Sequence, residues 1–174
     1  LPLMAALQLS ETEIAWLVSL PLLGGAVLRI VAGWSADWLG ARPTAVVILV
    51  MECLVLCWGW LGVTGYGEAL AFSACLGVAG ASFAVSLPIA SRAYPLSAQG
   101  FVLGIAASGN IGTVLILFFA PRWAAALDWH QVCGIMAGVV AATLLGFVLV
   151  VPRTILVPGA GAVAWWYQAV QLIR

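Results

Sequence analysis

Residues 103–119, LGIAASGNIGTVLILFF, indicate that this chain folds in a lipid bilayer rather than in water. The stretch has no charged residue, and Asn110 is its only amide. A helix needs about 20 mostly apolar residues to cross the hydrocarbon core of a bilayer. Extended by a few residues at either end, the stretch predicts a membrane-spanning helix over residues 98–120, with Asn110 next to its midpoint.

The rest of the chain has the same character. Of its 174 residues, 65% are hydrophobic and 7% are charged, whereas soluble domains have roughly 25% charged residues. Four more apolar stretches are long enough to span a bilayer: 13–35, 44–64, 69–91 and 130–151. The connections between them are short, which makes neighbouring helices antiparallel. We therefore predict an all-α membrane protein with five transmembrane helices over residues 13–151.

The two ends of the chain are predicted to lie outside these spans. Residues 1–12 are too few to cross a bilayer, and we interpret them as the end of a truncated first helix and a periplasmic loop. Three arginines fall in alternate connections: Arg42, Arg92 and Arg153. The positive-inside rule places that side of the protein in the cytoplasm. Residues 152–174 contain Trp165, Trp166 and Tyr167, which predicts an interfacial helix in a cytoplasmic loop.

Two ionisable residues lie inside the predicted spans, where a charge is costly and therefore suggests a function. The first is Arg29, whose neighbours at three and four residues are all small: Gly25, Ala26, Ala32 and Gly33. Small residues favour close helix contact over lipid contact, and a guanidinium presents a planar fork of donors to an oxyanion. The alternative is an arginine that extends to the interface or forms a structural ion pair.

The second ionisable residue is Glu52, which has bulky apolar neighbours on its helix. Three roles remain open for it. Glu52 could couple transport to protons, pair with Arg29, or stay neutral in its apolar surroundings.

Asn110 and Phe83 are the other candidate site residues. An amide offers donors and an acceptor without the cost of desolvating a charge, although Asn110 could simply bond a neighbouring helix. Phe83 lies deep in its span among small residues, and core packing is the default interpretation for it alone. Small residues also recur around Asn110 at four-residue spacing, which permits close helix packing: Gly100, Gly104, Ser108 and Gly112.

Other classes of function are not indicated. A nucleotide-binding P-loop needs a lysine, and the chain contains none. We find no pairing of a nucleophile with a base and no metal-ligand spacing. The sequence therefore predicts neither an enzyme nor a metal or cofactor site, and no nucleic-acid partner is expected.

A loop motif after the first span resembles the signature between the second and third helices of the major facilitator superfamily, G-x-L-A-D-R-x-G-R-R. The motif here is GWSADWLGARPT, residues 33–44. Five positions match: Gly33, Ala36, Asp37, Gly40 and Arg42. The resemblance implies that this loop latches one helical bundle against the other. Three positions depart from the pattern, which implies a weaker latch: Ser35, Trp38 and Ala41.

A second resemblance is narrower. Residues 77–114 are similar to the nitrate/nitrite porter family, which carries a G-A-S/N-F-A segment followed by L-G-x-x-x-x-G-N-x-G. The matching positions are Gly80, Phe83, Pro95, Gly100, Gly104, Gly109, Asn110 and Gly112. The stretch LLGGAVLRIVAG, residues 22–33, resembles the arginine-bearing second helix of that family. The resemblance implies that Arg29 and Asn110 contact a planar anion and that Phe83 packs on its face.

The family architecture implies twelve helices in two six-helix bundles. On this basis the chain is predicted to be an N-terminal half fragment in the bacterial inner (plasma) membrane, inactive without the missing C-terminal bundle. The implied function is transport of nitrate or nitrite by alternating access, with exchange favoured over proton symport. Two alternatives stay open: a porter for another small anion, and a non-transporting membrane sensor or assembly subunit.

Overall fold

The computed structural model describes residues 10–151, so the predictions for residues 1–9 and 152–174 lie outside the described residues. Within residues 10–151 the backbone forms six α-helices joined by short connections. They are α1 (Glu11–Trp38), α2 (Ala41–Leu61), α3 (Tyr66–Ala93), α4 (Gln99–Ser108), α5 (Ile111–Ala126) and α6 (Trp129–Val150). A 3₁₀ turn, Leu96–Ala98, precedes α4.

Five helical segments of this part of the chain are long and apolar enough to cross a membrane. They are Glu11–Trp38, Ala41–Leu61, Tyr66–Ala90, Gln99–Trp123 and Trp129–Val150. Large apolar side chains such as Leu22, Ile30 and Leu149 are exposed on these helices, as expected of surfaces that face lipid. The prediction of an all-α membrane protein with five spans is confirmed.

Glycine and a serine cap determine where several helices begin and end. The Ser10 hydroxyl accepts from the Glu13 backbone N–H, and the Glu13 carboxylate accepts from the Ser10 N–H, which forms a capping box at the start of α1. Gly40 separates α1 from α2 with a φ of 97°, a conformation that L side chains rarely adopt. Gly62 ends α2 with a φ of 124°. Because Gly40 adopts this conformation, a connection of only two residues, Leu39 and Gly40, is enough to join α1 to α2.

The closest helix contact is made between α1 and α3, where glycines face each other. A Cβ atom added to Gly77 would lie 2.8 Å from the Gly25 nitrogen and 3.0 Å from the Pro21 carbonyl oxygen. Near the start of the same pair, the Ser73 hydroxyl donates to the Leu17 carbonyl. Because lipid tails compete equally for apolar surface, such close backbone approach is a main source of helix association in membranes.

The α2 helix contacts both α3 and α6, whereas α4 packs on α3 and α5 packs on α6. One buried cluster lies at the end of α2 near Gly40 and contains Ala32, Ala36, Ala41, Ile48, Ala81 and Val85. A second lies at the other end and contains Val55, Val63, Ala69 and Phe72. The ring of Phe72 meets Trp58 edge-on at 6.0 Å and Trp129 at 6.4 Å, which ties α2, α3 and α6 together.

The segment predicted as one helix over residues 98–120 contains a tight turn at Gly109 and Asn110. Here the N–H groups of Gly109, Asn110, Gly112 and Thr113 bond to carbonyls three residues earlier, at 3.0–3.2 Å. Asn110 has φ −61° and ψ −17°, which is typical of a 3₁₀ turn. The chain stays a membrane-length segment but divides into α4 and α5, with Asn110 at their junction.

Candidate functional site

A cleft of about 670 Å³ lies between α1, α3 and the α4–α5 junction. It brings together Arg29, Phe83 and Asn110, the three residues that the sequence resemblance assigned to one anion site. The complete lining is Arg29, Ala79, Gly80, Ser82, Phe83, Ser86, Ala106, Gly109, Asn110 and Thr113. Residues separated by up to 84 positions in sequence, from Arg29 to Thr113, therefore share one concave surface.

Arg29 enters the cleft from α1 and is held against α3. Its Nε donates to the main-chain carbonyl oxygen of Gly80 at 3.1 Å. The side chain is nevertheless exposed to the cleft, so the guanidinium is anchored at one nitrogen and open elsewhere. A hydrogen bond of this kind partly offsets the cost of a cation inside a membrane, about 2.5–3.5 kcal/mol on insertion scales.

The α3 wall carries Phe83 between two hydroxyl groups that the sequence analysis did not assign to the site. The Ser82 hydroxyl donates to the Ala79 carbonyl at 2.7 Å, and the Ser86 hydroxyl donates to the Phe83 carbonyl at 3.2 Å. Positions 79, 82, 83 and 86 follow the spacing of one helix face. The spacing i, i+3, i+4, i+7 counted from Ala79 was the signal that could have identified both serines.

The opposite wall is built from the α4–α5 junction. Asn110 and Thr113 line the cleft there, and the tight turn exposes the Asn110 side chain. An amide and a hydroxyl both donate and accept hydrogen bonds. This wall therefore adds neutral polar groups opposite Arg29 and Phe83.

Arg29 is the only charged side chain among the residues that line the cleft in the described part of the chain. A single guanidinium with neutral donors around it suits a small anion of one negative charge, because charge-assisted hydrogen bonds are stronger than neutral ones. The Phe83 side chain adds an apolar ring to the lining beside these donors. The arrangement is chemically suited to hold a small oxyanion.

The predicted latch residues lie at the α1–α2 connection, away from the cleft. Gly33 and Asp37 are half-buried within α1, and Gly40 forms the turn. Arg42 makes a contact that the sequence did not indicate. Its Nε donates to the Val151 carbonyl at 2.8 Å, and its Nη2 donates to the Val148 carbonyl at 3.2 Å. Arg42 thus closes the end of α6, where a cation also interacts favourably with the helix dipole.

The other sequence candidates lie outside the cleft or at its edge. Gly109 lines it, whereas Cβ atoms added to Gly100, Gly104 or Gly112 would meet nothing within 4 Å in residues 10–151. Their predicted close packing therefore has no partner in this part of the chain and stays a prediction. Glu52 lies half-buried on α2, a helix that contributes none of the lining residues named above.

Comparison with known proteins gives the family. The sequence profile of the Major Facilitator Superfamily matches residues 1–164. The chain belongs to this superfamily. No solved structure matches the chain significantly.

Individual relatives within the major facilitator superfamily are similar to most of the chain. The probable nitrate/nitrite transporter NarK2 of Mycobacterium tuberculosis is 35% identical over 139 residues, which are 79% of this chain and 35% of that protein. The nitrite extrusion protein of Bacillus subtilis is 30% identical over 125 residues, 72% of this chain and 31% of that protein. The probable nitrate/nitrite antiporter NarK1 of Thermus thermophilus is 30% identical over 122 residues, 69% of this chain and 27% of that protein.

These relatives identify a transporter family rather than an enzyme family, and they agree with five apolar helices in a multi-pass protein of the plasma membrane. The chain spans about a third of the length of the curated relatives it matches.

Proposed function

We propose that the cleft is one half of a nitrate or nitrite site in a transporter that works by alternating access. The observation that carries this proposal is the convergence of Arg29, Phe83 and Asn110 on one cleft from α1, α3 and the α4–α5 junction. Nitrate is small, flat and singly charged, so one guanidinium, one flat apolar ring and a few neutral donors are enough to bind it. The names of the relatives point to the same substrates.

The site is proposed to be completed by a second six-helix bundle. Residues of α1, α3 and the α4–α5 junction line the cleft, and Arg29 and Asn110 remain exposed in it. Major facilitator transporters rock two bundles around a substrate site near the middle of the membrane. In such a cycle Arg29 would hold the anion on this bundle, and residues of the second bundle would close over it.

Anion exchange in proteoliposomes tests the proposal, with the protein expressed from its complete coding sequence. Vesicles loaded with nitrite should take up labelled nitrate, and Arg29→Ala and Asn110→Ala should abolish or strongly reduce that uptake. Arg122→Ala is the matched control, because Arg122 is not among the residues that line the cleft. It lies on α5 with its guanidinium over the Phe118 ring at 3.7 Å. That variant should transport like the parent protein.

Competition distinguishes nitrate from other anions. Unlabelled nitrate and nitrite should inhibit uptake at lower concentration than acetate or formate. If a carboxylate competes best, the cleft belongs to a porter for another anion. If no anion is taken up by a well-folded protein, transport through this cleft is refuted.

A further inference from the structure

The guanidinium of Arg29 has two edges that could bind an oxyanion. Its Nε and one terminal nitrogen form a side edge, and Nη1 and Nη2 form the end of the fork. Each edge presents two parallel N–H groups, which is the geometry of bidentate recognition. Which edge faces a ligand depends on what the other edge already contacts.

In this structure the side edge is turned towards α3. Nε of Arg29 on α1 donates to the carbonyl oxygen of Gly80 on α3 at 3.1 Å. A Cβ atom added to Gly80 would lie 3.9 Å from Nη2, so this terminal nitrogen also lies near Gly80. The Nε–H of the side edge is therefore occupied by the backbone of α3, so this edge no longer offers two free N–H groups.

The contact depends on how closely α1 approaches α3. A Cβ atom on Gly25 would lie 3.1 Å from the Gly77 carbonyl oxygen, and one on Gly77 would lie 2.8 Å from the Gly25 nitrogen. These atoms belong to backbone and cannot swing aside. Gly25 lies one helical turn before Arg29, and Gly77 lies nearly one turn before Gly80, so this close crossing brings Nε within reach of the carbonyl.

We propose that the main-chain carbonyl of Gly80 is a positioning group for Arg29, and that it leaves the Nη1–Nη2 end of the guanidinium as the anion-binding edge. The hydrogen bond fixes the rotation of the guanidinium plane before an anion binds. Without this bond, the flexible side chain would lose conformational entropy when the anion binds. The positioning contact needs no anion to form. The assignment of the binding edge rests on the proposed function.

Arginine side-chain NMR tests both statements on the complete protein labelled with 15N-arginine. The Arg29 signals are assigned by their loss in Arg29→Lys. We expect the Nε–H of Arg29 to exchange with water more slowly than that of Arg122 before any anion is added. Addition of sodium nitrate should then shift the Nη signals of Arg29 more than its Nε signal.

A pair of alanine variants on α3 separates positioning from general packing. In Gly77→Ala the new methyl group must push α1 away by about 1 Å, because carbon contacts settle near 3.5–4.0 Å. The Arg29 Nε–H should lose its protection, and the KM for nitrate should rise by up to about 100-fold. Gly67→Ala is the matched control, since Gly67 lies on the same helix and its Cβ would meet nothing within 4 Å.

The outcomes are separable. An Nε–H that exchanges as fast as that of Arg122, or that shifts most on addition of nitrate, overturns the proposal. Loss of protection in Gly67→Ala as well as Gly77→Ala would also overturn it, because the contact would then not depend on the glycine crossing. A protected Nε–H with no response to nitrate supports Gly80 as the positioning group and refutes nitrate as the ligand. If Gly77→Ala does not fold, the measurements on the parent protein still decide.

Discussion

Replacement of Gly40 by alanine should destabilise the protein, whereas the same replacement at Gly33 should stabilise it. Gly40 has φ 97° and ψ 147°, a region that costs a residue with a side chain about 1–3 kcal/mol. The turn cannot easily relax, because the Gly40 carbonyl accepts from both the Thr44 N–H at 3.3 Å and the Thr44 hydroxyl at 2.9 Å. Gly40 is also buried.

Gly33 is the matched control because it belongs to the same loop motif but lies inside α1. A Cβ atom there would meet nothing within 4 Å, and alanine in a helix interior is favoured over glycine by about 0.5–1 kcal/mol. Relative to the parent protein, the free energy of unfolding should therefore fall in Gly40→Ala and rise in Gly33→Ala. Unfolding of the complete protein in detergent, followed by tryptophan fluorescence, measures the difference. Equal stability of the two variants would refute the strained turn.

Three further predictions concern residues outside the cleft. Arg42→Ala should lower the free energy of unfolding by about 1–3 kcal/mol, because the two carbonyl groups at the end of α6 lose a charged donor, and Arg42→Lys should recover part of that loss in the same unfolding assay. Ser73→Ala should lower the free energy of unfolding by about 0.6 kcal/mol, because the hydroxyl bonds Leu17 on another helix. Ser108→Ala should be near neutral, because that hydroxyl bonds a carbonyl of its own helix. Equal losses of stability in the two variants would contradict this. Glu52→Gln should leave the rate and the pH dependence of nitrate–nitrite exchange unchanged, because α2 does not line the cleft. Loss of pH dependence in uptake assays of this variant would instead assign Glu52 to proton coupling.

The fold class could be predicted from composition and span length, because a membrane helix needs a long apolar segment whatever its neighbours are. The tight turn at Gly109 and Asn110 could not. Every residue of that segment is compatible with a continuous helix by hydropathy, and only the backbone shows bonds to carbonyls three residues earlier. Hydropathy reports the solvent around a segment and not its local hydrogen bonding.

Arg29 was identifiable from sequence because a cation among small residues in an apolar span is rare. Its partner was not, since Gly80 acts through a main-chain carbonyl that every residue type possesses. The same limit applies to Arg42, whose acceptors are the Val148 and Val151 carbonyls. Ser82 is different, because its place on the Phe83 face follows from helical periodicity.

Equilibrium binding of nitrate to the purified complete protein tests the central claim most directly. Titration calorimetry should show saturable nitrate binding in the parent and in Arg122→Ala, and binding should be lost or greatly weakened in Arg29→Ala and in Asn110→Ala. Each variant should retain its helical circular dichroism. If nitrate does not bind the folded parent, or binds equally well to Arg29→Ala and Asn110→Ala, the cleft is not a nitrate site and these side chains serve helix packing alone.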